Sequence, residues 1–447
     1  MKHIASRLAA VRPSASMAAS LAAKALMAEG VDVVDLSLGE PDFPTPPHIV
    51  DAAYEAAKRG ETLYTAPAGT TALREAIARK FEHENDLTFG LNQIAVANGG
   101  KQIIFNALMA TIDEGDEVIL SAPYFVSYPE MVRLVGGIPV SVPCPAETGF
   151  LLTPEALETA ITPRTKWLFL NSPNNPSGAV YSAGELAALG AVLERHPQVL
   201  ILSDEIYEHI LFDARRFTSF GQACPWLSDR SLIMNGMSKT HSMTGWRVGY
   251  AAGPAWLIAA MCTIQSQTCT SVCSIAQAAS VAALNGPQDH VSEFRAAFER
   301  RRDLVVHGIR DIPALTLSSP GGAFYGFIGC ARLIGAYSPS GATLADDAAI
   351  ARYLLEAGHV STVPGAAYGL SPFVRISTAT SEPVLTEAIS RIAAAVGGSC
   401  NYATLHENNP RIVFVGDADR QGPFEVFGKP ASTTFRSTRL SGKCYSE

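Results

Sequence analysis

No Cys-x-x-Cys pair occurs in this chain of 447 residues, although it holds eight cysteines: Cys144, Cys224, Cys262, Cys269, Cys273, Cys330, Cys400 and Cys444. Scattered cysteines in a chain this long read as reduced core residues of a cytoplasmic protein, not as a disulfide framework. Cys269 and Cys273 are four apart and could share a helix face, but no histidine or second pair completes a metal site. No stretch is apolar enough to span a bilayer. Charged residues are scarce, at 17%, and the balance is acidic, with a formal net charge of −8. An acidic surface excludes nucleic acid and an anionic membrane as main partners. G-x-x-x-x-G-K-[ST] and H-E-x-x-H are both missing, so P-loop and zincin chemistry have no support. The G-x-G-x-x-G fingerprint of a nicotinamide oxidoreductase is also missing after the first strand.

What is present is an ordinary globular composition, 47% apolar. On a prior of about 150 residues per domain the length predicts two or three domains. Short β-branched runs predict strands at Gln93–Ala97, Glu117–Ser121, Ile138–Val142, Lys166–Asn171, Gln198–Ser203, Ser231–Asn235 and Arg247–Ala251. Helical patterns lie between many of them. Thr70–Glu84 carries Leu73, Ile77 and Phe81 at helical spacing, and Thr153-Pro154-Glu155 is a helix start. Such alternation predicts an α/β fold with a mostly parallel sheet covered by helices on both faces.

From about Pro287 the pattern changes to a long charged helix, Glu293–Arg310, then sparser strands and helices near Ala345–Ala357 and Glu382–Val396. The expected organisation is a large domain at 48–290 and a smaller α+β domain at 291–398, with segment 1–47 packing on the latter. Residues 399–447 form a polar tail with one β-like run, Arg411–Val415, and no role is assigned to it. The N-terminus is basic up to Arg12 and has no acid before Glu29. That faintly resembles a presequence, but an amphipathic helix of the folded protein is the preferred reading.

Four segments could carry chemistry. Ser238-Lys239-Thr240 lies between two buried strands. A surface-loop lysine is the plain reading. A partly buried lysine would instead have a lowered pKa and a neutral amine able to attack a carbonyl. Ser203-Asp204-Glu205-Ile206-Tyr207 follows a strand, where an acid either caps a helix or pairs with a ligand cation. Asn171-Ser172-Pro173-Asn174-Asn175-Pro176 is a polar turn, also at a strand's carboxyl end. Asn98-Gly99-Gly100-Lys101-Gln102 precedes a helix, whose first amides could bind a phosphate. Each is weak alone.

Together and in this order, these segments resemble the fold-type I, class I aminotransferases, in particular the bacterial aspartate aminotransferase branch. Further matches are Gly39-Glu40-Pro41-Asp42-Phe43, Tyr64-Thr65-Ala66-Pro67, Tyr124-Phe125-Val126-Ser127-Tyr128-Pro129-Glu130, Gly322-Ala323-Phe324-Tyr325 and Val374-Arg375-Ile376-Ser377. The likeness runs from about Arg7 to Val396. It implies pyridoxal 5′-phosphate as cofactor, bound covalently to Lys239, which would also be the general base and acid. Asp204 would pair with the pyridine nitrogen. Tyr207 and Asn175 would hydrogen-bond the ring 3′-oxygen, and Phe125 would stack on the ring. Gly100, Lys101, Ser238 and Arg247 would hold the phosphate, with Tyr64 reaching in from the second subunit of a homodimer. Arg375, Asn175 and the Gly39 backbone would grip the substrate α-carboxylate.

Two departures stand out. Phe125 occupies a position where relatives usually carry Trp, and Gln265–Ser274 holds no Arg for a distal carboxylate. The resemblance gives that role to Lys101, with Arg12 assisting on prephenate. The implied activity is ping-pong transfer from an L-amino acid, a dicarboxylic one favoured, to a 2-oxo acid such as 2-oxoglutarate. The rivals are prephenate or aromatic transamination, a C–S β-lyase on the same cofactor, and a non-catalytic regulator of the same fold.

Overall fold

The computed structural model describes residues 3–398, so Cys400, Cys444, the 399–447 tail and the run Arg411–Val415 lie outside the described residues. In chain order the strands are β1 (Val34–Asp35), β2 (Ile94–Ala97), β3 (Glu117–Ala122), β4 (Ile138–Pro143), β5 (Thr165–Asn171), β6 (Leu200–Asp204), β7 (Ser231–Gly236) and β8 (Gly249–Ala252). They continue with β9 (Tyr325–Gly329), β10 (Val360–Ser361), β11 (Val363–Pro364) and β12 (Phe373–Ser377). Seven of them form one sheet in the order β2-β8-β7-β6-β5-β3-β4.

The central strands β5, β6 and β7 pair in parallel, and nearly every residue in them is buried. Strands covered on both faces must be apolar throughout, which is why Trp167-Leu168-Phe169-Leu170 and Leu200-Ile201-Leu202 read as unbroken hydrophobic runs. One departure from the parallel pattern shapes the site. Strand β8 runs antiparallel to both its neighbours, β2 and β7. The chain leaving β7 therefore turns straight back to β8, and the turn carries Lys239.

The helices begin where local chemistry sets them. Thr70 caps Thr71–Asn85 by accepting from the Leu73 amide at 3.3 Å. Thr153 caps Pro154–Ala160 through the Ala156 amide at 3.2 Å. Each side-chain cap of this kind is worth about 1 kcal/mol. The long helix spans Asp289–Arg310, one turn earlier than the charge pattern suggests. The N-terminal helical expectation corresponds to Ala15–Ala28, capped by Ser14.

A second sheet, β11-β12-β9, is antiparallel, and β1 pairs in parallel with β10. Its core is separate from that of the large sheet. Leu36 from the N-terminal segment joins Val305, Ile309, Ile350, Leu385 and Ile392 there. The idea of a helix face shared by Cys269 and Cys273 fails. The preceding helix stops at Thr268 and the next starts at Ser274, so both cysteines lie in the connection. Cys269 Sγ accepts from Gln102 Nε2 at 2.9 Å instead.

Candidate active site

A cavity of about 410 Å³ opens beyond the carboxyl ends of β5, β6 and β7, the place where open α/β sheets bind ligands. Asn171, Asn175, Asp204, Tyr207, Ser238, Lys239, Arg247 and Arg375 all line it. So do Gly39, Gly100, Lys101 and Phe125. The structure thus brings together twelve of the residues singled out from the sequence, counting Asn171 from its Pro/Asn turn. Two others are not among the lining residues. Tyr64 is 89% exposed. Arg12 is exposed, and its backbone amide donates to Glu130 Oε2 at 2.7 Å.

Lys239 sits at the centre. Its Nζ donates to the Gly39 carbonyl at 2.6 Å. Burial pulls its pKa down to about 8, with Arg375 and Arg247 adding to the drop and Glu40 and Asp204 opposing it. A neutral amine is therefore available near neutral pH, as a nucleophilic lysine requires. Asp204 closes β6 and starts no helix, so the capping reading does not apply. Burial pushes its carboxyl up to about 6, against the pull of Tyr128, the Ile206 amide and Lys239. Such an acid can pair with a cation inside the cavity.

Arg375 reaches the cavity from β12 in the second sheet, so the site joins both sheets. Its guanidinium donates to the Ser37 carbonyl and to Asn175 Oδ1, the latter at 3.4 Å. The rings of Tyr325 and Tyr368 lie 4.8 and 5.2 Å from its central carbon. Its Nε is buried and has no hydrogen-bond partner among the described residues. A buried donor without a partner is costly, and a bound carboxylate would satisfy the fork.

At the other end, the helix Gly100–Thr111 points its first turn at the cavity. Its leading amides have no partner within the helix. Gly99 there has φ +85°, and a Cβ would strike the Arg247 guanidinium. At Gly249 a Cβ would strike the backbone of Gly99 and Gly100. Arg247 itself is held at φ 57°, unusual for a residue with a side chain, and donates to the Thr244 carbonyl at 2.9 Å. Amides, the Ser238 hydroxyl and the Arg247 guanidinium on this wall of the cavity could together hold an anion. An amine, an acid and these groups around one ring-sized space fit pyridoxal phosphate.

Several contacts escaped the sequence. Tyr128 donates its hydroxyl to Asp204 Oδ2 at 2.6 Å. The hydroxyls of Tyr325 and Tyr207 are 2.7 Å apart. Asn171 Oδ1 accepts from the Asn175 amide at 2.8 Å, while its Nδ2 donates to the Asp204 carbonyl at 2.9 Å. All of these residues lie in segments that the sequence marks, but no local signal says that they touch.

Comparison with known proteins agrees with this chemistry. The family "Aminotransferase class I and II" matches residues 31–392. An aspartate aminotransferase of Rhizobium meliloti (strain 1021) is 53% identical over 391 residues, 88% of this chain and 95% of that protein. An aspartate/prephenate aminotransferase of Cereibacter sphaeroides is 53% identical over 398 residues, 89% of this chain and 100% of that protein. Among solved structures, the Rhizobium meliloti aspartate aminotransferase superposes with a TM-score of 0.87 at 51% identity, covering 89% of this chain and all of that one. The Thermus thermophilus aspartate aminotransferase with maleate gives a TM-score of 0.82 at 42% identity, covering 88% of this chain and all of that one. The chain belongs to the class I and II aminotransferases, as an enzyme of the fold-type I bacterial aspartate aminotransferase branch.

Proposed function

We propose that this aminotransferase uses pyridoxal 5′-phosphate to move the amino group of L-aspartate, or a related dicarboxylic amino acid, to a 2-oxo acid such as 2-oxoglutarate. The observation that carries the proposal is a half-buried amine of lowered pKa, Lys239, facing one cavity with Asp204 and Arg375. The cofactor, when bound, supplies an electron sink for the substrate's Cα electrons. Lys239 would be the amine that holds it and the acid–base group that takes up and returns the proton at substrate Cα. Asp204 pairs with the ring nitrogen. Tyr207 and Asn175 address the ring 3′-oxygen, and Phe125 covers a ring face. The Gly100 and Lys101 amides, Ser238 and Arg247 hold the phosphate.

Arg375 orients the substrate by its α-carboxylate, with Asn175 and Gly39 beside it. Lys101 supplies the charge for a distal carboxylate. Its Nζ lies 5.4 Å from the centre of the Phe125 ring, at the cavity wall. The names of the relatives favour aspartate, and the Cereibacter sphaeroides name makes prephenate the second substrate to test. A lyase finds no support among them.

The division into domains at 48–290 and 291–398, with 1–47 joined to the latter, is supported by two sheets with separate cores and by the β1–β10 pairing. A homodimer is supported by Leu63 and Tyr64, which stand 81% and 89% exposed side by side. A large apolar pair held in water suits an interface that hands Tyr64 to a neighbouring site. The six described cysteines are free, and among the described residues no helix is long and apolar enough to cross a membrane. Free thiols suit the cytoplasm.

The test is borohydride trapping followed by a donor screen. Borohydride treatment of protein loaded with pyridoxal phosphate should leave the label on Lys239. With 2-oxoglutarate as acceptor, aspartate should then outrun alanine, phenylalanine and lysine as donor. Label on another lysine, or no label, would refute the cofactor assignment; alanine outrunning aspartate would refute the substrate class.

A further inference from the structure

We infer that Tyr128 is a positioning residue: its hydroxyl aims the Asp204 carboxylate at the ring nitrogen and keeps it ionised. The inference deepens the proposed function and rests on it. Asp204 is buried, and an isolated carboxylate in such a place resists ionisation. Few groups counter this. The Ile206 amide donates to Oδ1 at 3.2 Å. The Tyr128 hydroxyl donates to Oδ2 at 2.6 Å, the shorter of the two bonds. Asn171 reaches only the backbone carbonyl of Asp204.

Tyr128 can act only as donor toward a carboxylate. Burial, then the Asp204 charge, holds its own phenol well above the ordinary value, so the proton stays on the phenol oxygen. The other ionisable groups that face Asp204 are Lys239, Tyr207 and Tyr325. Lys239 spends its Nζ bond on Gly39, and the two tyrosines bond each other. Among the described residues, no other side chain therefore does what Tyr128 does for Oδ2.

The tyrosine is also firmly seated. Its ring packs edge-on against Phe125 at 5.5 Å and against Phe169 at 5.4 Å. Tyr128→Phe keeps that packing and removes the hydrogen bond alone. The Asp204 pKa should rise, its ionised fraction should fall, and the ring nitrogen should lose part of its proton-holding partner.

The experiment uses full-length protein loaded with pyridoxal phosphate labelled with ¹⁵N in the ring. In Tyr128→Phe the nitrogen resonance should move toward its unprotonated position. Cofactor affinity, measured by direct titration, should fall about tenfold, the scale of one hydrogen bond to a charged group. Phe169→Leu is the control, because it loosens packing on the same ring and leaves the hydroxyl. It should lower the melting temperature and leave the resonance in place. A wild-type resonance and affinity in Tyr128→Phe would overturn the inference. So would a Phe169→Leu protein that reproduced the shift, since packing alone would then explain it. Failure of the unmutated protein to take up the cofactor would overturn the functional reading itself.

Discussion

Two of the described lysines are drawn away from solvent, Lys80 buried and Lys239 half-buried, and each faces a carboxylate, yet their surroundings differ in kind. Lys80, on the helix Thr71–Asn85, pairs with Glu208 and donates to Asn85 Oδ1 at 2.8 Å. Glu84 lies 3.6 Å away. Glu208 accepts in addition from Asn85 Nδ2 at 3.1 Å and from Asn235 Nδ2 at 2.7 Å. Burial alone would push Glu208 up. Lys80, His209 and Asn85 pull harder, and the carboxyl ends below its ordinary value. His209 joins Glu84 and Glu208 in a grouping that geometrically suits a metal, but Lys80 already neutralises the charge. Among the described residues the Lys239 amine has one hydrogen bond, to a carbonyl, and the Asp204 carboxylate has two. A buried ion whose bonding capacity is filled stabilises a fold. One left short of partners keeps a shifted pKa and an open side toward a ligand.

The largest effect is expected at Lys239. Lys239→Ala should abolish the visible absorbance of bound pyridoxal phosphate and reduce kcat by at least about 10⁴-fold, the upper range for a single acid–base group. Its melting temperature should hold or rise, because an amine under-bonded in the interior contributes little to stability. In the unmutated apoprotein, the rate of cofactor capture should climb as pH rises toward about 8 and then level, following the neutral amine fraction. A rate still climbing at pH 10 would mean an ordinary lysine.

Lys80→Met is the mirror experiment. It strands the Glu208 charge in the interior and should cost about 3–5 kcal/mol in denaturant unfolding. The fraction that folds should still bind cofactor with its colour intact. A loss below about 1 kcal/mol, the range of a surface pair, would dissolve the contrast between the two lysines.

How much of this was legible follows the same division. The loops around Lys239, Asp204, Asn175 and Gly100 stood out because site chemistry demands particular residue types at strand ends. The buried strands stood out because a sheet covered on both faces cannot alternate. Lys80 did not. Within Thr71–Asn85 it looks like half of a surface pair with Glu84, and the residue that buries it lies on a different loop. Tyr128 and Asp204 are 76 positions apart, and Tyr207 and Tyr325 are 118 apart. Contacts that long leave no periodic trace. The backward turn into β8 was equally hidden, since a short apolar strand reads the same in either direction.

Arg375 tests the middle ground, being buried, partly bonded and, among the described residues, left with an unpaired Nε. Arg375→Ala should raise KM about a hundredfold for every amino acid donor alike, as the loss of two charge-assisted bonds implies. Steady-state kinetics with aspartate and alanine would check it. A penalty confined to aspartate would place the distal carboxylate, not the α-carboxylate, at this residue.

Lys101 should give the smallest effect and the sharpest one. It is exposed in the single chain, yet burial of its charge and the nearby Arg247 lower its pKa. On the proposed function, a cation at the cavity wall beside Phe125 would pair with a second carboxylate, which Arg375 would not reach. Lys101→Ala should cut kcat/KM for aspartate about tenfold, the scale of one partly exposed charged hydrogen bond. For alanine the change should stay within about twofold, since only the aspartate side chain presents the second anion. Equal losses for both donors would return Lys101 to the phosphate and leave the dicarboxylate preference without a residue to explain it.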